Sequence, residues 1–435
     1  MLIEFSVGNF LSFKETVTFS LEAAAISEFP ENTFEQGRYR LLKSAVVYGA
    51  NSSGKSNLMR AISVMRQIVK SSASMSSTDE LDVVPFLLST ETQDRPCFFE
   101  VLFLIDGIRY RYGFELTRAA VATEWLYYSK AKAEKPLFIR DGEAIEVQGK
   151  FEEGQGLEPK TRDNALFLGV VDQFNGPTAK KVMNWFTKLG AVSGLSHENY
   201  RGITFSLLND ESCQPAILEF LDKLDLGFDE VQAFEEDFDP ARLPKNTPSE
   251  LIHRLMSDLK GRKMLQFKTI HDIYDATGKK VGKREFDLDS QESSGTNKVF
   301  DLLGPVFDTL MSGRVLVIDE LNAKLHPLLT RALVALFNSK ENNPNNAQLI
   351  FSTHDTNLLY YGNFRRDQIY FVEKNRQEAT DLYSLVEYKE DGGTVRKDRS
   401  FEKDYILGKY GAIPYLGDFS QLFPKWQEKQ KSPTT

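Results

Sequence analysis

Apolar and polar positions alternate with a period of two at the start of the chain. Ile3, Phe5 and Val7 fall on one face, "NFLSFKE" turns the chain, and Val17, Phe19 and Leu21 alternate again. The pattern predicts two half-buried strands. "SAVVYGA" (44–50) is a short apolar run ending in glycine, as expected of a buried parallel strand. From Asn57 to Val69 the apolar spacing becomes helical, and the Ser-rich stretch 71–80 reads as a loop. Residues 97–130 return to strand-like runs with Asp106-Gly107 as a hairpin turn, which predicts an inserted antiparallel sheet. Between about 175 and 262 the spacing is helical in "TAKKVMNWFTKLG" and "PAILEFLDKLDLG", and the acidic, Pro-containing segment 235–250 is expected to be exposed. From about 286, strands and helices alternate: "RVLVIDEL" (314–321), "LTRALVALFNS", "AQLIFSTHD" (347–355) and "RDQIYFVEK" (366–374). Such alternation predicts an α/β fold with a parallel sheet covered on both faces.

Bulk properties narrow the picture only a little. The 435 residues suffice for one large domain or two ordinary ones. A net charge of −9 argues against a broadly basic nucleic-acid binder and leaves a local basic strip open. Cys97 and Cys213 stand in unrelated contexts, which suggests neither a disulfide framework nor a zinc site. Glu4 interrupts any signal-like core and no apolar run reaches bilayer length, so a soluble cytoplasmic protein is expected, with no membrane partner.

The candidate chemistry starts at Gly49, Ala50, Asn51, Ser52, Ser53, Gly54, Lys55, Ser56 and Asn57, which contain the phosphate-loop pattern G-x-x-x-x-G-K-[ST]. Glycines let backbone N–H groups face phosphates, and the following helix aims its positive end at them. Lys55 would reach the outer phosphates and Ser56 would join a magnesium ion. The pattern alone also fits a Gly/Ser-rich turn; the strand before it and the amphipathic helix after it favour a nucleotide. "VLVIDEL" ends a strand on Asp319, placed to hold magnesium, and Glu320, placed to polarise a water. His354 ends another strand in "LIFSTHD", where a γ-phosphate sensor would stand. Ser293, Ser294 and Gly295 open a helix, and the same residues fit either a phosphate cradle or an ordinary N-cap.

Taken in order, these motifs resemble the ATPase heads of the SMC, RecF and overcoming-lysogenization-defect groups. More narrowly, "MLIEFSVGNFLSF", "GANSSGKSNL", "NALFLGVVDQFN", "SSGTNKVFDLLGP", "VLVIDELNAKLHP", "IFSTHD" and "FEKDYILGKYGAIPYLGDF" resemble RloA-type ATPases of bacterial defence islands. The resemblance implies an ABC-type head: a mixed, largely parallel sheet with flanking helices, an inserted antiparallel sheet and a helical insertion. It divides the chain into an N-terminal lobe (1–174) with Walker A, a helical insertion (175–265) and a C-terminal lobe (266–435) with signature, Walker B and switch histidine. It also implies ATP and Mg2+ as cofactors, and a homodimer or higher homo-oligomer in which the phosphate loop of one head faces Ser293–Gly295 of the other. By the same resemblance Glu320, His354 and Lys55 are catalytic, Ser56, Asp319 and Gln173 serve the metal, and Asn9 and Ser12 approach the base or ribose. Asn322 departs from the family, which tends to carry an aspartate there.

Overcoming-lysogenization-defect proteins also carry a TOPRIM nuclease, which needs a glutamate after one strand and D-x-D after a later one. Glu373 follows a strand, but no D-x-D follows it, so Glu373 reads as a surface acid and the chain as lacking a nuclease. A head without an effector fits a two-gene defence system whose other half is an RloB-type, TOPRIM-like protein. The tail from 395 to 419 reads as a closing helix packed on the head or as a docking surface. The competing function is a RecF- or SMC-like DNA repair ATPase that binds DNA directly.

Overall fold

The computed structural model describes residues 1–131, 133–195, 200–237, 248–258, 263–361, 364–390, 393–414 and 417. The chain opens with β1 (Leu2–Gly8), β2 (Val17–Ser20), a hairpin of β3 (Thr33–Gln36) and β4 (Tyr39–Leu42), then β5 (Ser44–Tyr48) and α1 (Lys55–Ser71). A meander follows: β6 (Cys97–Ile105), β7 (Ile108–Leu116), β8 (Val121–Ser129), β9 (Lys135–Asp141) and β10 (Ala144–Val147). After it come α2 (Phe167–Gln173), α3 (Pro177–Lys188), β11 (Leu189–Ser193), α4 (Arg201–Leu208), α5 (Gln214–Lys223), β12 (Glu230–Asp237) and α6 (Ser249–Asp258). β13 (Lys263–Tyr274), β14 (Lys280–Asp287), α7 (Leu288–Gln291) and α8 (Ser294–Ser312) lead to β15 (Val315–Asp319) and α9 (Pro327–Asn338). The last elements are β16 (Gln348–Ser352), α10 (Asn357–Tyr361), β17 (Ile369–Lys374), β18 (Thr380–Ser384), β19 (Lys389–Glu390), β20 (Gly393–Thr394) and α11 (Phe401–Ile406).

Two large sheets organise these elements. The first has the order β10-β9-β8-β7-β6-β1-β2 and is antiparallel; the second has the order β11-β15-β16-β5-β17-β18. In the second sheet β11, β15, β16, β5 and β17 run parallel and β18 turns back. Helix α1 lies between the sheets: Leu58, Ile62, Met65 and Val69 share one core with Phe5 and Phe99 on one side and Val47, Val317 and Ile350 on the other. The opposite face of the parallel sheet, with Val46, Leu316, Ile318 and Phe351, packs on Phe300 and Leu303 of α8 and Val334 and Phe337 of α9. Burial on both faces is why these strands read as unbroken apolar runs rather than alternating ones.

The expected helical stretch between 175 and 262 needs correction at two places. β11 pairs with β15 from Leu189↔Val315 to Ser193↔Asp319, and so belongs to the central sheet. Leu189 and Val192 match helical spacing locally, but pairing with a buried neighbour gives the main chain its hydrogen bonds and overrides that signal. β12 joins β13 and β14 in a separate three-stranded sheet, and the expected boundary at residue 265 falls inside β13. Of the acidic segment 235–250, residues 238–247 lie outside the described residues.

Tyr405, Tyr410 and Ala412 belong to the core on the outer face of the parallel sheet. Tyr405 of α11 stacks on Phe371 with ring centroids 5.3 Å apart and packs at a tilt against Tyr48 at 5.6 Å, and the hydroxyl of Tyr383 donates to Tyr410 O at 2.6 Å. Glu373 is not simply a surface acid: its Oε2 accepts the backbone N–H of Ala412 at 2.8 Å. Of the expected tail segment 395–419, residues 415, 416, 418 and 419 lie outside the described residues.

Candidate nucleotide site

β5 fixes the starting point of the site. Its residues are all buried between β16 and β17, so the chain leaves the carboxyl edge of the sheet at Gly49. A Cβ at Gly49 would lie 2.4 Å from both Ser53 Oγ and Val372 O. At Gly54 φ is +116°, and a Cβ would stand 2.5 Å from Thr380 Oγ1. Only glycine tolerates either position. Gly54 also stands at the N-cap of α1 and brings no side-chain cap, so N–H groups of the first helical turn point into the loop.

Lys55 is 5% exposed, and its ammonium donates to Gly49 O at 2.7 Å and Ala50 O at 2.9 Å. Burial lowers its pKa to about 8, with Glu320 and Asp319 opposing the shift. A cation held by two neutral loop carbonyls is poised for exchange onto a stronger, anionic acceptor.

The acids arrive from β15. The hydroxyl of Ser352, at the end of β16, donates to Asp319 Oδ1 at 2.5 Å and accepts the N–H of Glu320 at 2.7 Å. Glu320 takes a left-handed φ of +52°, uncommon for a side chain of its size and held here by that bond. Next along the loop, Asn322 Oδ1 accepts the hydroxyl of Thr353 and the backbone N–H of His354. Burial, and then the nearby Lys55 ammonium, hold the imidazole of His354 below its ordinary pKa, with Glu320 and Asp319 opposing.

Asn51 to Asn57, Glu320, His354 and Lys374 line one cleft of about 520 Å³, and Asp319 stands directly before Glu320. A larger hollow, of about 740 Å³, occurs elsewhere among the described residues; the cleft is singled out by its chemistry. The residues fit a nucleotide phosphate chain. Ser53 Oγ is buried without a hydrogen-bond partner, the glycine cradle leaves no room for side chains, and the first-turn N–H groups of α1 face inward. Ser56, exposed at the start of α1, and Asp319 supply oxygen donors of the type magnesium takes.

Several expected site residues lie elsewhere. Gln173 Nε2 donates to Ala73 O at 3.1 Å, just past the C-terminal end of α1. Helix α1 has 17 residues and begins at Lys55, so Gln173 is roughly 25 Å from the phosphate loop and does not reach a metal at Ser56. Asp319 adjoins the ends of β16, through Ser352, and of β11, where Gly194 N donates to Asp319 O at 2.6 Å. Asn9 does not line the cleft: its Nδ2 donates to Thr92 O, Arg95 O and Pro96 O, and its Oδ1 accepts Phe86 N. Ser12 is 8% exposed beneath the loop, where its Oγ accepts Asn57 Nδ2 at 2.7 Å and Thr380 Oγ1 at 2.8 Å. It braces the phosphate loop from below. Ser293 caps α8 by accepting Thr296 N at 3.0 Å, and with Ser294 and Gly295 it lies outside the cleft of its own chain.

Lys374, Ser352 and Thr380 were not singled out from the sequence. The available signal for Lys374 was its place at the end of an apolar strand, as for Asp319 and His354.

A family model described as "AAA domain, putative AbiEii toxin, Type IV TA system" matches residues 44–359, more than half of the chain. The chain belongs to this family. As an AAA-domain protein it is a P-loop ATPase by class, and the match spans every cleft residue except Lys374. No curated protein sequence matches it significantly. Among solved structures, it is similar to an Smc head bound to the C-winged helix domain of ScpA, at 13% identity over 88% of this chain and 97% of that one, with a TM-score of 0.41. It is also similar to an Smc head domain with an extended coiled coil bound to the C-terminal domain of ScpA from Pyrococcus furiosus, at 12% identity, 88% and 96% coverage and a TM-score of 0.36. A third similar structure is an Smc head domain with a coiled coil and joint from Pyrococcus yayanosii, at 12% identity, 88% and 97% coverage and a TM-score of 0.37. No helix among the described residues is long and apolar enough to cross a membrane.

Proposed function

We propose that this AAA-family chain binds ATP with Mg2+ and hydrolyses it as a switch rather than as a metabolic enzyme. The observation that carries the reading is the meeting of Lys55, Glu320 and His354 around one glycine-cradled cleft. Bound ATP would supply a γ-phosphoryl group open to in-line displacement, its charge partly neutralised by magnesium. Lys55 leaves the carbonyls of Gly49 and Ala50 for the outer phosphates. Ser56 and Asp319 hold the metal, and Ser352 keeps the Asp319 carboxylate oriented. Glu320 accepts the proton of the attacking water, and His354 donates a hydrogen bond at the γ-phosphate. Ser293, Ser294 and Gly295 act on a second copy, closing a homodimer over the nucleotide. Closure of this kind follows ATP because contacts shared by both subunits exist only in the closed state.

The wider role is the ATP-driven half of a bacterial anti-phage defence pair, controlling a separate effector of the RloB, TOPRIM-like kind. Its support is the resemblance of "GANSSGKSNL", "SSGTNKVFDLLGP" and "VLVIDELNAKLHP" to RloA-type ATPases, together with a family description that names a Type IV TA system. The test is phosphate release with Mg-ATP, alone and with the product of the neighbouring gene, for wild type and Glu320→Gln. Loss of a positioned general base lowers turnover roughly 100-fold or more while nucleotide stays bound. Equal inertness of both proteins in every mixture would sink the hydrolytic switch.

A further inference from the structure

β17 carries a second cation to the phosphate loop. It pairs in parallel with β5 from Ile369↔Val46 to Phe371↔Tyr48, then continues through Val372 and Glu373 to Lys374. β5 ends where the loop begins, so this extension runs alongside the loop, and Val372 O closes on Gly49. The hairpin is also fastened there. Thr380, the register partner of Lys374 on β18, donates from Oγ1 to Ser53 O at 2.9 Å and from its backbone N–H to Ser12 O at 2.7 Å. Thr380 is 2% exposed, so the base of the hairpin has a fixed position relative to the loop.

The order of the strands decides which part of a nucleotide Lys374 would meet. In the sequence β15-β16-β5-β17, Asp319 and His354 leave the sheet on one side of the phosphate loop and Lys374 on the other. A nucleotide lying along the loop with its terminal phosphate toward Glu320 and His354 would therefore turn its inner phosphates toward Lys374. Its ammonium now pairs with Glu378 Oε2 at 3.4 Å across the hairpin turn, and Glu378 is 66% exposed. An exposed pair of this kind is weak and exchanges readily for a stronger anion.

We infer that Lys374 is a nucleotide-binding residue that contacts the α- and β-phosphates, trading Glu378 for them, and that it serves ADP and ATP equally without taking part in hydrolysis. The inference rests on the nucleotide reading above. The test is calorimetric titration of the full-length protein with ATP, ADP and AMP at several salt concentrations. Lys374→Ala should weaken ATP and ADP alike by roughly 5- to 20-fold, as expected for one lost charge-assisted bond. Its salt dependence should be shallower than that of wild type. The effect on hydrolysis should appear mainly in KM and less in kcat, as for binding shared by ground and transition states. Lys374→Arg should restore most of the affinity, and Glu378→Gln, which releases the lysine, should tighten both nucleotides. Unchanged affinities in Lys374→Ala and Glu378→Gln, with wild type binding normally, overturn this inference alone. A loss confined to ATP or to kcat overturns it too, by placing Lys374 at the terminal phosphate. A wild type that binds neither nucleotide removes the nucleotide reading and this inference together.

Discussion

The carboxamide oxygen of Asn322 accepts the backbone N–H of His354 at 3.3 Å while it also accepts the hydroxyl of Thr353 at 2.9 Å. The residue that departs from the resembled family thus ties the loop after β15 to the loop after β16 within one chain. An aspartate offers the same acceptor, so Asn322→Asp should keep both bonds. Asn322→Ala leaves a hydroxyl and an N–H without their partner and should cost about 1–2 kcal/mol of stability. Urea denaturation measures the loss, and phosphate release should fall with nucleotide affinity nearly intact. Wild-type turnover in Asn322→Ala would show that His354 needs no such tether.

Lys55 makes binding proton-linked. Free of ligand, its pKa falls from the usual 10.5 to about 8, chiefly through burial. Phosphates favour the ammonium, so nucleotide binding above about pH 8 should take up a proton. Titrations at pH 8.5 in buffers of different ionisation enthalpy should reveal that uptake, and Lys55→Ala should abolish it along with most binding. For stability the sign is reversed. Between pH 8 and 10.5 the unfolded chain holds the Lys55 proton more tightly than the folded one, so this residue's penalty on the free protein eases as pH rises through that window.

Gly54→Ala combines two faults. The backbone stays at a φ of +116°, and the new methyl meets Thr380 Oγ1 and Cγ2 at 2.5 and 2.6 Å. The strain should cost about 1–3 kcal/mol. Since Thr380 holds the β17–β18 hairpin against the loop, relief by moving Thr380 disturbs nucleotide binding as well. A lowered melting temperature together with weakened ATP binding is the expected result; a stable, tightly binding variant would contradict the packing described here.

Gln173→Ala should leave Mg-ATP affinity within about twofold of wild type, the range of an ordinary surface substitution. Its amide bonds Ala73 O at the far end of α1 from the loop. A strong loss of magnesium dependence in a calorimetric titration would mean that α2 reaches the site in another conformation.

The phosphate loop, the Asp319–Glu320 pair and His354 were legible because each follows an apolar strand directly, and their places follow from a few consecutive residues. The turn at Asp106-Gly107 was legible for the same reason: both residues take positive φ, at 50° and 74°, as a tight hairpin requires. Gln173 was misplaced because its motif is local while its distance from the loop depends on the whole length of α1. Asn9 and Ser12 were assigned to a ligand, whereas their polar atoms are used up inside the protein, Asn9 on the 86–96 loop and Ser12 under Gly54. β11 was hidden because a short, weakly patterned segment becomes a strand only when a neighbour is there to pair with it.

By itself the sequence determined which segments bury both faces, where the chain must bend at glycine, and which charged residues end the buried strands. Those features depend on side-chain size and polarity within a few neighbouring residues. Only the tertiary structure decided the order β11-β15-β16-β5-β17-β18. That order brings Asp319, Glu320 and His354 to one flank of Lys55 and Lys374 to the other, and leaves Gln173 at the far end of α1. Strand order is set by non-local hydrogen bonding and by the packing of both sheets on α1, and no short stretch of sequence encodes either.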